Sequence, residues 1–478
     1  MTSAAVDGRV AAGINRNKLF LLSCLSLIVT AMTFAIRAGI LTQLSEQFVL
    51  SDTELGWVNS MAFLGFPLAM VVFGFLYNKL GPRLIMILAF IGHLLGLVLT
   101  IFAGGFLGLL ISTFFIGFAN GSVEAACNPL VADLYKDDKT KWLNRFHVWF
   151  PGGIVIGAVV SYIMTNSGFG WQPQIAVMLL PTAVYGYMVF TTKFPDVPEI
   201  ERTVDLDVKG LFLMTSIFGL LVLIGTPNDL VVWLPGGFAL PLLLVVGLTF
   251  LLILFRAGRA RDAVLLIVLM GLMSITATSE LGTQQWVDRI LGAQLGGVPG
   301  QAMIVLGMVT GIMAVGRYFA GPFIHALNPV GVLLMSAVLS ALGLFLMSTA
   351  SGAMVYVSAV VFAFGVCYFW PTMIGVTAQY VPRSGALGMS LVGAAGMFAL
   401  TIWNPIIGGW IDNARGRAEE SGLTGNAVEV VSGQEALSQL VSFPLVLIGA
   451  FAILYFARAW MSNTAGFEFT TGHTDPNS

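Results

Sequence analysis

Apolar runs of membrane-spanning length, separated by short polar breaks, fill almost the whole chain. A spanning helix needs about 20 apolar residues. On that rule fourteen spans are predicted, near 19–42, 54–78, 83–104, 106–134, 142–165, 172–193, 208–226, 232–255, 263–289, 301–325, 330–349, 353–380, 385–411 and 437–461. The first run is long enough to cross a bilayer, so it reads as a retained helix rather than a cleaved signal. The fold class is an all-α membrane protein.

The pattern also repeats. Gly74, Leu80 and Pro82 recur with the same spacing as Gly321, Leu327 and Pro329, each set leading directly into another apolar helix. Two parallel halves of six helices follow, over about 19–195 and 260–462. An extra helical pair lies in the linker 196–259, and short tails occupy 1–18 and 463–478. Paired six-helix halves point to a transporter that rocks about a central site. Sixteen of the basic residues, from Arg9 and Arg16 to Arg383 and Arg458, fall on one side of this arrangement, against Arg289, Arg415 and Arg417 on the other. That bias places both termini in the cytoplasm of a cell (inner) membrane. The pairs Gly117/Gly121, Gly153/Gly157 and Gly307/Gly311 have the small-xxx-small spacing that lets helices approach closely in lipid.

Composition agrees: 57% of residues are hydrophobic, only 10% are charged, and mean hydropathy is +0.90. A net charge of −2 excludes a nucleic-acid-binding polycation. The isolated cysteines imply neither a disulfide framework nor a metal site. No glycine-rich loop ending in Lys-Ser or Lys-Thr is present to cradle a nucleotide phosphate. The chain is therefore expected to be no enzyme, to need no cofactor or metal, to be a monomer, and to draw on an ion gradient.

The candidate chemistry lies where charge interrupts apolar helix. Arg37, Glu124, Glu280 and Arg317 sit well inside predicted spans, and unpaired they would cost about 10 to 14 kcal/mol together. They must face one another, water or a solute. Glu124 is the candidate proton-coupling group, with a structural ion pair as its other reading. Arg317 and Glu280 are candidate gate contacts, near the inner end of one span and the outer mouth of another. His93 reads as a satisfied core residue. His147, with Asn144 and Trp149 around it, reads as lining a cavity. Trp149, Trp370 and Asn404 are further candidates there, since aromatic rings stack on a sugar and amides bond its hydroxyls. Trp171 reads as an interfacial anchor.

The run G-F-L-Y-N-K-L-G-P-R from Gly74 to Arg83 resembles the loop motif of the major facilitator superfamily, with Asn78 where an aspartate is usual. V-E-A-A-C-N-P from Val123 to Pro129 is similar to the E-x-x-x-N-P signature of its fucose permease branch, as is G-R-Y-F-A-G from Gly316 to Gly321. The resemblance covers nearly the whole chain. It implies two six-helix halves around a mobile polar cavity, Glu124 as the protonatable group, Asn128 as its cavity neighbour, and gating roles for Gly74 and Arg83. In the first helix that branch carries an acidic residue, and here the neighbourhood reads Ile36-Arg37-Ala38. An arginine there suits a carboxylate or phosphate. The expected function is alternating-access transport of a small polar solute, a sugar first, in symport with a proton, sodium being the other candidate ion. The alternatives are an organic-anion transporter using Arg37 and Arg317, and a non-transporting membrane sensor on the same fold.

Overall fold

The structure, a computed structural model, describes residues 14–135, 142, 145–195, 260–381 and 385–465. The first half contains α1 (Arg16–Phe48), α2 (Asp52–Ile101), α3 (Phe106–Leu134), α4 (Trp149–Asn166), α5 (Trp171–Val177) and α6 (Leu179–Thr191). In the second, α7 (Ala260–Ala277) runs through a π-helical turn at Thr278–Gly282 and a short turn at Thr283–Gln285 into α8 (Val287–Leu291). It continues with α9 (Gln301–Tyr318), α10 (Ala320–Thr349), α11 (Ala353–Val366), α12 (Phe369–Tyr380), α13 (Gly385–Glu420), α14 (Asn426–Leu440) and α15 (Ser442–Ala465). Among the described residues twelve stretches are long and apolar enough to cross a membrane, one for each expected span outside the linker. The inserted pair expected at 208–226 and 232–255 lies outside the described residues.

Local chemistry sets the helix ends. Asn15 caps α1 by accepting from the Lys18 N–H. Ser51 and Glu54 close a reciprocal capping box at the start of α2, satisfying donors the first turn leaves free. Two proline breaks fall at corresponding places in the halves. α2 kinks at Gly81 (φ 72°, ψ 159°) before Pro82, and α10 kinks at Asn328 (φ 55°, ψ 163°) before Pro329. Proline disfavours helical geometry in the residue before it. At the second break the Asn328 side chain restarts the helix by accepting from the Gly331 N–H at 3.0 Å.

One expected boundary is corrected. The polar stretch 412–435 reads as a loop before a last span at 437, yet α13 continues to Glu420 and α14 begins at Asn426. Val428, Ser432 and Ala436 repeat at helical spacing and are buried, with Gly433 against the backbone of Ile290. A helix can be polar outside and small inside where another helix covers it. Of the three glycine pairs, Gly117 and Gly121 lie directly on the backbone of Ala62 and Phe66, and Gly153 and Gly157 on Ala31 and Ala35. Gly307 and Gly311 make only ordinary contacts, with Ala158 and Val155 of the first half.

The halves meet at the end of the bundle away from Arg16, called here the Asp52 end. Among the described residues the cross-half hydrogen bonds run from positions 34–60 to positions 285–289 and 401–415. Just below them Phe34, Phe63 and Phe66 meet Ala277, Leu281, Met397 and Leu400 in an apolar layer between the halves. Nearer the Arg16 end, a separate core is built only of first-half residues, from Leu19 to Phe194. The Asp52 end is thus closed by contact between the halves.

Candidate functional site

α3 carries Asn120, Glu124 and Asn128 at successive four-residue steps, so they form one stripe. Asn120 is core: its oxygen meets His93 Nε2 at 2.7 Å and its amide donates to Thr33 at 2.9 Å, while His93 Nδ1 lies 2.7 Å from the Tyr185 hydroxyl. Both nitrogens of His93 are used, as a core histidine requires. One turn on, Glu124 is 7% exposed and accepts from Asn128 Nδ2 at 2.8 Å. Asn128 Oδ1 in turn accepts from His147 Nε2 at 3.0 Å, and that nitrogen is 4.0 Å from Glu124 Oε2. No lysine or arginine among the described residues pairs with Glu124. The His147 side chain is 43% exposed. Glu124 thus has an amide as its hydrogen-bond partner and an accessible imidazole beside it, with no fixed arginine or lysine pair among the described residues. Phe150, three residues beyond His147, packs 5.7 Å from Phe34 against the apolar layer between the halves.

Arg37 lies on the other side of that layer, 5% exposed. Its Nε donates to Asn59 Oδ1 at 2.9 Å and its Nη2 to Gln285 Oε1, in the second half, at 2.7 Å. The rings of Phe34 and Phe63 stand 5.1 and 5.6 Å from the guanidinium carbon. Arg37 and Glu124, the pair that the sequence invites, therefore have separate partners. Glu280 and Arg317 do find each other. Arg317 Nη2 donates to Glu280 Oε1 at 3.0 Å, and its Nε to the Cys367 carbonyl at 2.8 Å. Glu280 is buried in the π-helical turn and reaches Arg317 of α9. The two expected gate contacts form one ion pair inside the second half.

The other expected site residues scatter. Asn144 lies outside the described residues. Trp149, at the start of α4, is exposed, and Trp370 is partly buried beside the interhalf layer. Asn404 is fully buried, donating to the Leu400 carbonyl at 2.7 Å and accepting from Trp286 at 3.1 Å, so its amide is committed within the second half. Among the described residues nothing approaches Gly74 within 4 Å of a Cβ position, and Arg83 donates to the Phe190 carbonyl, at 3.4 Å, in its own half. Trp171 is no surface anchor: it is buried and donates to Gln47 at 2.7 Å.

Sequence reading missed the polar network at the Asp52 end. Asp52 is fully buried and accepts from Arg289 at 2.7 and 2.9 Å and from Arg415 at 2.7 Å. Arg415 also holds Glu429, at 2.9 Å. Asp412, from the second half, accepts from the N–H groups of Asp52 and Thr53 at 3.0 and 2.8 Å. It caps α2 across the interface, where the helix dipole favours negative charge. Nearby, Thr42 donates to Asp288 at 2.7 Å. Burial pushes the Asp288 carboxyl up to about 6, although the Thr42 bond and Arg289 pull it back. One signal was present: Arg289 and Arg415 are exceptions to the charge bias.

The profile of the Major Facilitator Superfamily matches residues 22–308, more than half of the chain. The chain belongs to the Major Facilitator Superfamily. Among curated proteins it is 24% identical to the "Putative niacin/nicotinamide transporter NiaP" of Bacillus subtilis (strain 168), over 39% of this chain and 46% of that protein. The alignment thus spans less than half of that relative's length. Among solved structures, a variant of the nucleoside transporter NupG superposes with a TM-score of 0.67 at 13% identity, covering 92% of this chain and 99% of the other. A D-xylose-proton symporter superposes with a TM-score of 0.64 at 15% identity, covering 89% and 97%. At these identities the likeness is one of fold, and it extends over the two halves that the superfamily's sequence pattern implied.

Proposed function

We propose that this superfamily member is a secondary active transporter that moves a small polar solute, a sugar first, by alternating access and in symport with a proton. The observation that carries the proposal is Glu124: a nearly buried carboxylate with no lysine or arginine partner among the described residues, tied through Asn128 to the accessible His147. Protonation would remove its charge when the halves close over it, which is the property a coupling group needs. The V-E-A-A-C-N-P run and the fold shared with a D-xylose-proton symporter support the sugar and proton parts of the reading. With the termini in the cytoplasm of the cell membrane, the closed Asp52 end faces outward. His147, Trp149 and Trp370 would contact the solute from the opposite side of the apolar layer.

Uptake into proteoliposomes tests this. Glu124→Gln is expected to reduce pH-gradient-driven uptake to background while leaving solute exchange near the parent rate. Unchanged gradient-driven uptake in that variant would refute the coupling role.

A second reading, transport of an organic anion, draws on Arg37. Arg317 does not favour it, since Glu280 already neutralises that charge.

A further inference from the structure

We infer that Arg37 and Asn59 form a binding site for one singly charged anion, the carboxylate of a small solute or a free anion of the same charge. The site is held closed by Gln285. This rests on the transporter reading only for the opening of the Asp52 end.

Two donors at the site are orphaned. Arg37 Nη1 and Asn59 Nδ2 are both buried and both lack a hydrogen-bond partner. They belong to side chains already joined to each other, through Arg37 Nε and Asn59 Oδ1. A guanidinium does not lose its proton in a protein. Among the described residues no carboxylate lies within ion-pair distance of Arg37, whose acceptors are the neutral amides of Asn59 and Gln285. The site therefore has a positive charge with no counter-charge, and unpaired donors with no acceptor. One chemistry answers both: an anionic, acceptor-only group. Water would fill the hydrogen bonds but leave the buried charge uncompensated.

Geometry says when such a group enters. Gln285 belongs to the second half, and its amide donates to the Phe34 carbonyl at 3.3 Å while its oxygen occupies Arg37 Nη2. Opening of the Asp52 end withdraws Gln285 with its half. Nη2 then loses its acceptor, while Nη1 and Asn59 Nδ2 already lack one, and the paired Nη groups of a guanidinium fit a carboxylate. The Gln285 oxygen is a neutral stand-in for the ligand, exchanged for it as the end opens. A single guanidinium matches one negative charge, and the arginines of the Asp52 network, Arg289 and Arg415, are already committed to Asp52. A doubly charged phosphate would be left half-compensated.

The test uses the purified full chain in nanodiscs in chloride-free sulfate buffer, with thermal unfolding followed against sodium chloride, sodium acetate, sodium glucuronate and glucose. A saturable rise in Tm of about 2 to 5 °C is expected with the carboxylates or chloride and not with glucose. It should be absent in Arg37→Met. Preference for glucuronate over acetate and chloride identifies a solute carboxylate, whereas an equal response to all three anions identifies a free-anion site. Asn59→Asp supplies the missing charge from within the chain. It is expected to raise Tm without ligand and to abolish the anion response, which a merely structural Asn59 would not do. The proposal is overturned if the parent shows no anion-specific rise, if Arg37→Met retains it, or if Asn59→Asp leaves it intact. None of these readouts involves Glu124, so failure here is distinguishable from failure of the proton-coupling reading.

Discussion

Each half of the molecule places an arginine on a membrane-spanning helix, Arg37 in the middle of α1 and Arg317 in the last turn of α9, and the two differ in what neutralises them. Arg317 is matched by Glu280 at 3.0 Å, within its own half. Among the described residues the hydrogen-bond acceptors of Arg37 are amides, one of them from the opposite half. Glu124, a buried carboxylate of the first half, is held apart from Arg37 by Asn128 and His147. An ion pair closed within one half has the same surroundings whether the halves are open or closed, so it can serve the packing of that half. A separated cation and carboxylate keep their charges available, and their environments change as the halves move. The first half carries the groups suited to binding and coupling.

The comparison can be broken most sharply by removing the two cations. Arg317→Met leaves Glu280 buried without its partner and is expected to cost about 3 to 5 kcal/mol of stability. Arg37→Met removes an uncompensated charge and is expected to hold or raise Tm in sulfate buffer. Thermal unfolding of both variants in detergent decides it, and equal destabilisation would mean that Arg37 has a counter-charge after all. A smaller effect is expected at the Asp52 end. Asp52→Asn weakens the hydrogen bonds to Arg289 and Arg415, and the closed arrangement should lose about 1.5 to 3 kcal/mol. Spin labels at Val49 and Ser421 should then report a longer distance, and an unchanged distance would show that the other cross-half bonds, among them those of Asp412, Asp288 and Gln285, hold the halves together without Asp52.

The smallest effect concerns pH. Burial raises Asp288 to about 6, so the closed end is favoured by the protonated carboxyl. That contribution is complete below the ordinary aspartate value of about 4 and is lost as pH rises through about 6. Raising pH from 5 to 7 should shift the same label pair towards open distances by less than about tenfold in population. Asp288→Asn should remove that dependence. A pH response that survives in the variant would assign it to another group, with Glu46 the first to examine.

Much of this was visible in the chain. Glu124 and Arg37 stood out because a charge inside an apolar helix has so few places to go, and the Gly–Pro spacing marked both helix breaks. The pairing of those charges was not legible. Arg37 was expected to face another of the charges, water or a solute, and its partners are amides 22 and 248 positions away. Asn404, read as a cavity amide, is instead locked to Trp286. Periodicity says which face of a helix is apolar, but not which distant helix covers it.

The amino-acid sequence by itself determined the membrane class, the helical spans, the breaks at Pro82 and Pro329, and the four charges that interrupt apolar helix. Those features follow from local hydropathy and backbone sterics, which act over a few residues. Only the tertiary structure decided which charges neutralise each other, that Asp412 caps a helix of the opposite half, and that the bundle closes at the Asp52 end. Coulombic and hydrogen-bond partners are chosen by proximity in space, and that proximity is set by the packing of the whole bundle.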